Sequence, residues 1–302
     1  MAGLGTPASD VDLFVVHSES LVTEQVMVDG ARVDVEFVPY GVLESQVEDF
    51  QTYKVTETDT SQMQRATSGV LDRLVRFLTG EIVHDVDSVG LGRLRDRALA
   101  AEGGIRKLLI ARHAVSTGNC AEDAVGAGEI GDLSGGDYQA REGLLQAAKA
   151  LLAARGDLYM GTKWVWTQWD RTIGSSLGDH VTSILRDPAA ASATTLALSQ
   201  DLLVHSMIPW SYPICTEPAE ATARHAKGML PFPVSGAVLL SPHLGKLMRV
   251  SVQGAFLWGV AHGRTRDSAV EYVANTLGIE REKVDAYYAT LLGFGALIGQ
   301  ES

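Results

Sequence analysis

Cysteine is almost missing from this chain of 302 residues, with only Cys120 and Cys215 present. Two thiols supply neither a disulfide framework nor a four-thiolate zinc site, so the fold has to rest on its apolar core. Long hydrophobic runs are missing as well. The longest candidate, Leu291–Gly299, is glycine-rich and far short of the roughly 20 residues that span a bilayer. Asp10 and Asp12 interrupt the first apolar stretch, which excludes a signal-peptide pattern. The expectation is a cytoplasmic protein with no membrane partner. Basic residues are scarce in one place above all. Residues 1–60 hold 12 acids against only Arg32 and Lys54, which accounts for −10 of the chain's net charge of −12. A surface of that sign repels phosphate backbones unless cations intervene, so nucleic acid is not expected as a partner.

What is present is globular in balance. Hydrophobic residues at 46% and charged residues at 21% exclude a largely disordered chain. Residues 1–60 read as strands. Val11-Asp12-Leu13-Phe14-Val15-Val16 follows the turn-like Gly5-Thr6-Pro7-Ala8-Ser9, and Val33-Asp34-Val35-Glu36-Phe37-Val38 alternates up to Pro39. Val26–Arg32 between them predicts a hairpin turning at Asp29-Gly30.

From residue 61 the hydrophobic period becomes helical. Ser61-Gln62-Met63-Gln64 has the form of a capping box, and Val70, Leu71, Leu74, Val75 and Leu78 form one stripe ending near Gly80. Further helices are expected around Leu91–His113, Tyr138–Arg155 and Trp164–Ser175, with the glycine-rich Gly126–Gly136 as a flexible loop. Residues 205–245 read as irregular, broken by Pro209, Pro213, Pro218, Pro231, Pro233 and Pro242. The C-terminal end of the chain reads as a separate module. There Ser268–Glu271 is a capping box for a helix stopping at Gly278, and Val284, Tyr287, Tyr288, Leu291 and Leu292 stripe a second helix.

The chemistry concentrates in the acidic strands. Asp10 and Asp12 stand at i and i+2 at a strand's start, so their side chains project to the same side. Two like charges that close are unfavourable unless a cation sits between them. Asp34 and Glu36 repeat the spacing on a second strand. Carboxylates converging from neighbouring strands form a hard oxygen site suited to Mg²⁺, as in-line transfer of a phosphoryl or nucleotidyl group requires.

Gly5-Thr6-Pro7-Ala8-Ser9-Asp10-Val11-Asp12-Leu13, followed by Arg32-Val33-Asp34-Val35, resembles the nucleotidyltransferases of the DNA polymerase β superfamily. It is most similar to the enzymes that adenylylate aminoglycosides and lincosamides. Gly156-Asp157-Leu158-Tyr159-Met160-Gly161-Thr162-Lys163-Trp164 likewise resembles the Gly-Lys-Trp segment of kanamycin-type members. The resemblance covers about residues 3–175 and implies Mg²⁺ held by Asp10, Asp12 and Asp34, with Glu36 beside them rather than a ligand. It implies ATP or another nucleoside triphosphate contacted by Ser9 and Lys163. Asp157 is the nearest match to the family's general base, although it precedes the lysine by a longer interval than in the family. The chain departs from the pattern in one respect. Members carry a Gly-Ser pair upstream of the Asp-x-Asp that holds the β- and γ-phosphates, whereas here Gly3 and Gly5 supply glycines without the serine. The resemblance therefore implies weak retention of ATP.

The remaining residues take ordinary roles. Trp164 and Trp166 read as bundle core. The histidines show no ligand spacing such as His-x-x-x-His, and Cys120 lacks a base nearby in sequence. The C-terminal helices resemble, more weakly, the small winged-helix domains of pyrroloquinoline-quinone biosynthesis, in which the module binds a peptide.

The expected architecture is α+β. Residues 1–60 form a small mixed nucleotidyltransferase sheet, 61–204 a helical bundle completing the cleft, and 205–302 an irregular linker with a small helical, winged-helix-like module. The expected activity is Mg²⁺-dependent transfer of a nucleoside monophosphate, AMP from ATP, to a hydroxyl of a small molecule. Two alternatives stand beside it. One is a non-catalytic binding or regulatory protein on the same fold. The other is a protein nucleotidyltransferase whose C-terminal module recognises a peptide.

Overall fold

The computed structural model describes residues 11–18, 22–51, 67–85, 90–173, 181–184, 187, 192–215, 218–219, 222–234, 236–242 and 246–299. Helices with small sheets make it an α+β protein. In the N-terminal sheet, β1 (Val11–His17) and β2 (Glu24–Val28) flank β3 (Ala31–Pro39). β1 runs parallel to β3, and β2 runs antiparallel to it. The hairpin turns where the sequence predicts it. Asp29 at φ 50° and Gly30 at φ 83° give the two left-handed residues of a tight hairpin turn. Pro39 ends the strand and leads directly into a helix, α1 (Tyr40–Gln51), which corrects the all-strand reading of residues 1–60. Its buried residues Leu43, Val47 and Phe50 stand at helical spacing.

The helical part is built on α2 (Ser68–Thr79), α3 (Leu91–Ala100), α4 (Glu102–Glu129), α5 (Leu133–Ala154), α6 (Val165–Thr172) and α7 (Ser192–Met207). The predicted stripe Leu71, Leu74, Val75 and Leu78 is buried on α2, which stops at Gly80. The proposed capping box at Ser61 lies outside the described residues. Gly126–Gly136 is not a loop. α4 runs through Glu129, and α5 is capped by Asp132, whose side chain accepts from the Gly135 N–H at 2.9 Å. Ile130, Gly131 and Asp132 suffice to reverse the chain, and the glycines on either side are absorbed into a long helical hairpin where packing overrides their low propensity. Trp169 is fully buried, while Trp166 packs against the same core from a partly buried position.

The stretch predicted to be irregular contains β5 (Leu230–Val234) and β6 (Ala237–Ser241). They pair antiparallel, and β6 also pairs with β7 (Met248–Val250). Two prolines survive in β5 because it is an edge strand and because of their register. Val234 and Ala237 close the tight connection as a hydrogen-bonded pair, so Pro231 and Pro233 fall on the alternate pairs, whose nitrogens point away from β6.

α8 (Val252–Ala261), α9 (Arg266–Leu277) and α10 (Arg281–Phe294) come next, and the two-residue β8 (Leu297–Ile298) pairs with β4 (Arg224–His225). α9 is capped by Thr265, whose hydroxyl accepts from Ser268 N–H, so the helix begins before the predicted Ser268 box. It ends at the expected Gly278. On α10, Val284, Tyr288 and Leu291 are buried while Tyr287 is exposed. The helical and C-terminal cores are two clusters that meet at α7, which contributes Leu202 and Leu203 to one and Val204 to the other while Met207 packs against both.

Candidate functional site

The parallel pairing of β1 with β3 puts Asp12 directly beside Asp34, and Phe14 beside Glu36. Register partners on adjacent strands share a face, so Asp12, Asp34 and Glu36 all lie on one side of the sheet. Further along that face, Phe14, Val16 and Val38 enter the helical core, which fixes the register: slipping β1 by one residue would turn Phe14 and Val16 away from that core.

α2 meets this face with its polar side. Arg76 bridges Asp12 at 3.2 Å and Asp72 at 2.7 Å, while Arg73 holds Glu36 at 3.2 Å and donates to Gln46 at 3.5 Å. Arg32 pairs with Asp34 Oδ2 at 3.3 Å. The other oxygen, Asp34 Oδ1, is enclosed and has no hydrogen-bond partner among the described residues. Burial raises the Asp72 pKa. Arg76 opposes that shift, and the neighbouring charges of Glu36 and Asp12 add to it. The sequence reading missed Asp72, Arg73 and Arg76. Their spacing marks the polar stripe opposite Leu71, Leu74, Val75 and Leu78, but nothing local says that this stripe meets carboxylates from another element.

Ser9 and Asp10 lie outside the described residues. Among those described, no group of three or more His, Cys, Asp and Glu side chains stands ready to hold a metal ion. Asp12 and Asp34 are the two expected ligands that can be placed, and the structure brings them together.

Asp157 and Lys163 sit elsewhere in the chain's connections. Asp157 follows α5, and its carboxylate accepts from Gln168 Nε2 at 2.6 Å, Arg171 Nε at 2.7 Å and Thr172 Oγ1 at 3.3 Å, all on α6. Its side chain is 7% exposed. The same network contains Lys149, buried on α5, which donates to Gln168 Oε1 at 2.6 Å and to the Tyr159 carbonyl. Burial depresses the Lys149 pKa to about 7 against the opposing pull of Asp157. Together these groups fix the segment leading to the 3-10 turn Thr162–Trp164. On that turn Lys163 is exposed, with its ammonium 4.9 Å from the centre of the Trp164 ring. The turn packs on α5 and α6. Among the described residues, no hydrogen bond or ion pair links Asp157 or Lys163 to Asp12, Asp34 or Glu36.

A second polar cluster, unsuspected from the sequence, lies between α7 and α8. Asp201 is fully buried and accepts from the Tyr212 hydroxyl at 2.9 Å, and the Tyr212 ring stacks on His205 at 4.1 Å. Burial pushes the Asp201 carboxyl well above its usual range. On β4, His225 stacks on Trp258 at 3.8 Å, and its backbone N–H donates to His262 Nδ1 at 3.1 Å. No protein-family model matches this chain, and neither does any curated protein or solved structure.

Proposed function

We propose that this protein transfers a nucleoside monophosphate, AMP from ATP, to a hydroxyl of a small molecule, using Mg²⁺ held by Asp10, Asp12 and Asp34. The observation that carries the reading is the side-by-side pairing of Asp12 and Asp34, with Asp34 Oδ1 enclosed and unsatisfied among the described residues. These residues fit the ion: carboxylate oxygens are the ligands a hard divalent cation takes, and an orphaned carboxylate oxygen gains a partner when one binds. When bound, the ion would neutralise the triphosphate and favour the ionised acceptor oxygen.

The chain's own residues supply the rest. Arg73 and Arg76 hold Glu36 and Asp12 in place on one face of the sheet. Lys163, exposed and without an ion pair among the described residues, is available to the departing pyrophosphate. For Asp157 to take the acceptor proton, the substrate hydroxyl must reach a carboxylate that is 7% exposed and already accepts from three side chains. The same carboxylate otherwise anchors α6 to the end of α5.

A second reading, a scaffold on the same fold without turnover, is favoured by one observation. Arg76 and Arg32 already neutralise Asp12 and Asp34, as a metal ion would.

Thermal unfolding with Mg²⁺ or Mn²⁺ tests both. An ion present at about 100 times its dissociation constant adds about 2.7 kcal/mol, a rise of several degrees for a chain of this size. Asp12→Asn should abolish most of that rise. A pyrophosphate-release screen over hydroxylated small molecules then separates the readings. Release that depends on Asp12 supports transfer, and a metal- and ATP-dependent shift without release supports the scaffold. A melting temperature unchanged across millimolar Mg²⁺, with and without ATP, overturns the site.

A further inference from the structure

We propose that the outer edge of β2 is a docking edge for an extended, cationic segment of a partner polypeptide, which joins the N-terminal sheet as a fourth strand. β2 is an outer strand of that sheet, and every one of its five residues is exposed. Its register fixes which backbone groups are free. Val28 and Ala31 flank the two-residue turn as a hydrogen-bonded pair, so Val26 with Val33 and Glu24 with Val35 are hydrogen-bonded as well. The N–H and C=O groups of Gln25 and Met27 therefore point away from β3, at the spacing an added strand requires.

Another edge strand of the molecule, β5, is treated differently. On β5 the equivalent outward-facing positions are Pro231 and Pro233, which present no N–H to a newcomer. β2 carries no proline, no lysine and no covering element among the described residues. Side chains agree with the backbone. On the sheet face away from the carboxylates, Val26 and Val28 of β2 are 39% and 53% exposed, forming an apolar floor beside the edge.

Charge selects the occupant. Glu24 and Asp29 stand at the two ends of the edge, and both are exposed. A second copy of this chain would bring the same carboxylates against this edge, whereas a segment alternating apolar and basic residues would satisfy the floor and the charge together.

The probe is a fluorescently labelled peptide of alternating lysine and valine, titrated into the full chain and followed by anisotropy and amide hydrogen exchange. The expected result is saturable binding that slows exchange at Gln25 and Met27. An alternating glutamate–valine peptide should not bind, and raising the salt to about 0.5 M should weaken the complex about tenfold. Met27→Pro removes an outward N–H without touching the β3 ladder and should weaken binding about tenfold, while Met27→Thr should bind as wild type. If Met27→Pro does not fold, the exchange pattern of the wild type decides. Equal binding of the acidic peptide, or binding with no protection at Gln25 and Met27, overturns the proposal. Protection of these amides without peptide, rising with protein concentration, overturns it in favour of self-pairing.

Discussion

Acidifying the protein from pH 6.5 toward pH 4 should unfold it, through four histidines that the fold keeps neutral. Burial is the largest cause at each of them. It lowers His113, His205 and His262 to about 4 and His225 well below its ordinary value. Neighbouring positive charge adds to it, from Lys149 and Arg112 at His113, Arg155 at His205 and Arg224 at His262. The folded-state pKa is depressed in every case, so the unfolded chain binds more protons than the native one between about 6.5 and 4. The histidines' contribution to stability is therefore complete above pH 6.5 and is lost as the pH falls through that window.

Each histidine contributes about 1.4 kcal/mol per pH unit there, so four lose about 5 kcal/mol per unit. That rivals the whole stability of an ordinary domain, about 5–15 kcal/mol. Asp201 works in the opposite sense, because its raised pKa makes the folded state gain on acidification, and it offsets part of one histidine. Lys149 binds fewer protons folded than unfolded only between about 7 and its ordinary value of 10.5, so it does not steepen the acid limb. Denaturant midpoints at pH 7, 6 and 5 measure the slope directly. A midpoint unchanged across that range would show that the histidines titrate freely. His113→Gln should flatten the slope by about one proton, since glutamine can still bond Gln146, which now meets His113 Nδ1 at 2.8 Å.

None of this burial was legible in the sequence, and the reason is physical. A histidine in a helix or a short strand looks the same whether its ring faces water or stacks on Trp258, and that stacking is set by elements distant in the chain. Local rules did better where one interaction decides the outcome. The Asp29-Gly30 hairpin follows from the two-residue turn alone, and α2 follows from the stripe Leu71, Leu74, Val75 and Leu78. They failed where packing outweighs propensity. Glycines at 126, 128 and 136 lie inside the α4–α5 hairpin, and two prolines lie inside β5, because the surrounding contacts and the outward register remove the usual penalty. The candidate site divides along the same line. Asp12 and Asp34 were visible through strand alternation, whereas Asp72, Arg73 and Arg76 reach them only through the placement of α2.

The second large effect should come from a single methyl group. Gly259 lies in the largely buried α8, and a Cβ built on it would stand 2.3 Å from the Tyr212 hydroxyl oxygen and 2.5 Å from Cζ. That ring has nowhere to retreat. It stacks on His205 at 4.1 Å, packs edge-on to Phe256 at 6.1 Å and is tethered to Asp201 by its hydroxyl. Gly259→Ala therefore has to displace a packed ring and break a buried hydrogen bond, at about 1–3 kcal/mol for each. Alanine's better helix propensity returns about 1 kcal/mol. A net loss on the order of 3 kcal/mol is expected in chemical denaturation. The partner in the clash can be identified by a double-mutant cycle with Tyr212→Ala. Tyr212→Ala alone should destabilise through its cavity and the loss of Asp201's donor. On that background Gly259→Ala meets no ring, so its cost should vanish and the coupling should reach at least about 2 kcal/mol. If the two costs simply add, the methyl group is accommodated by movement of α8, and Tyr212 is not what holds α7 and α8 at their present separation.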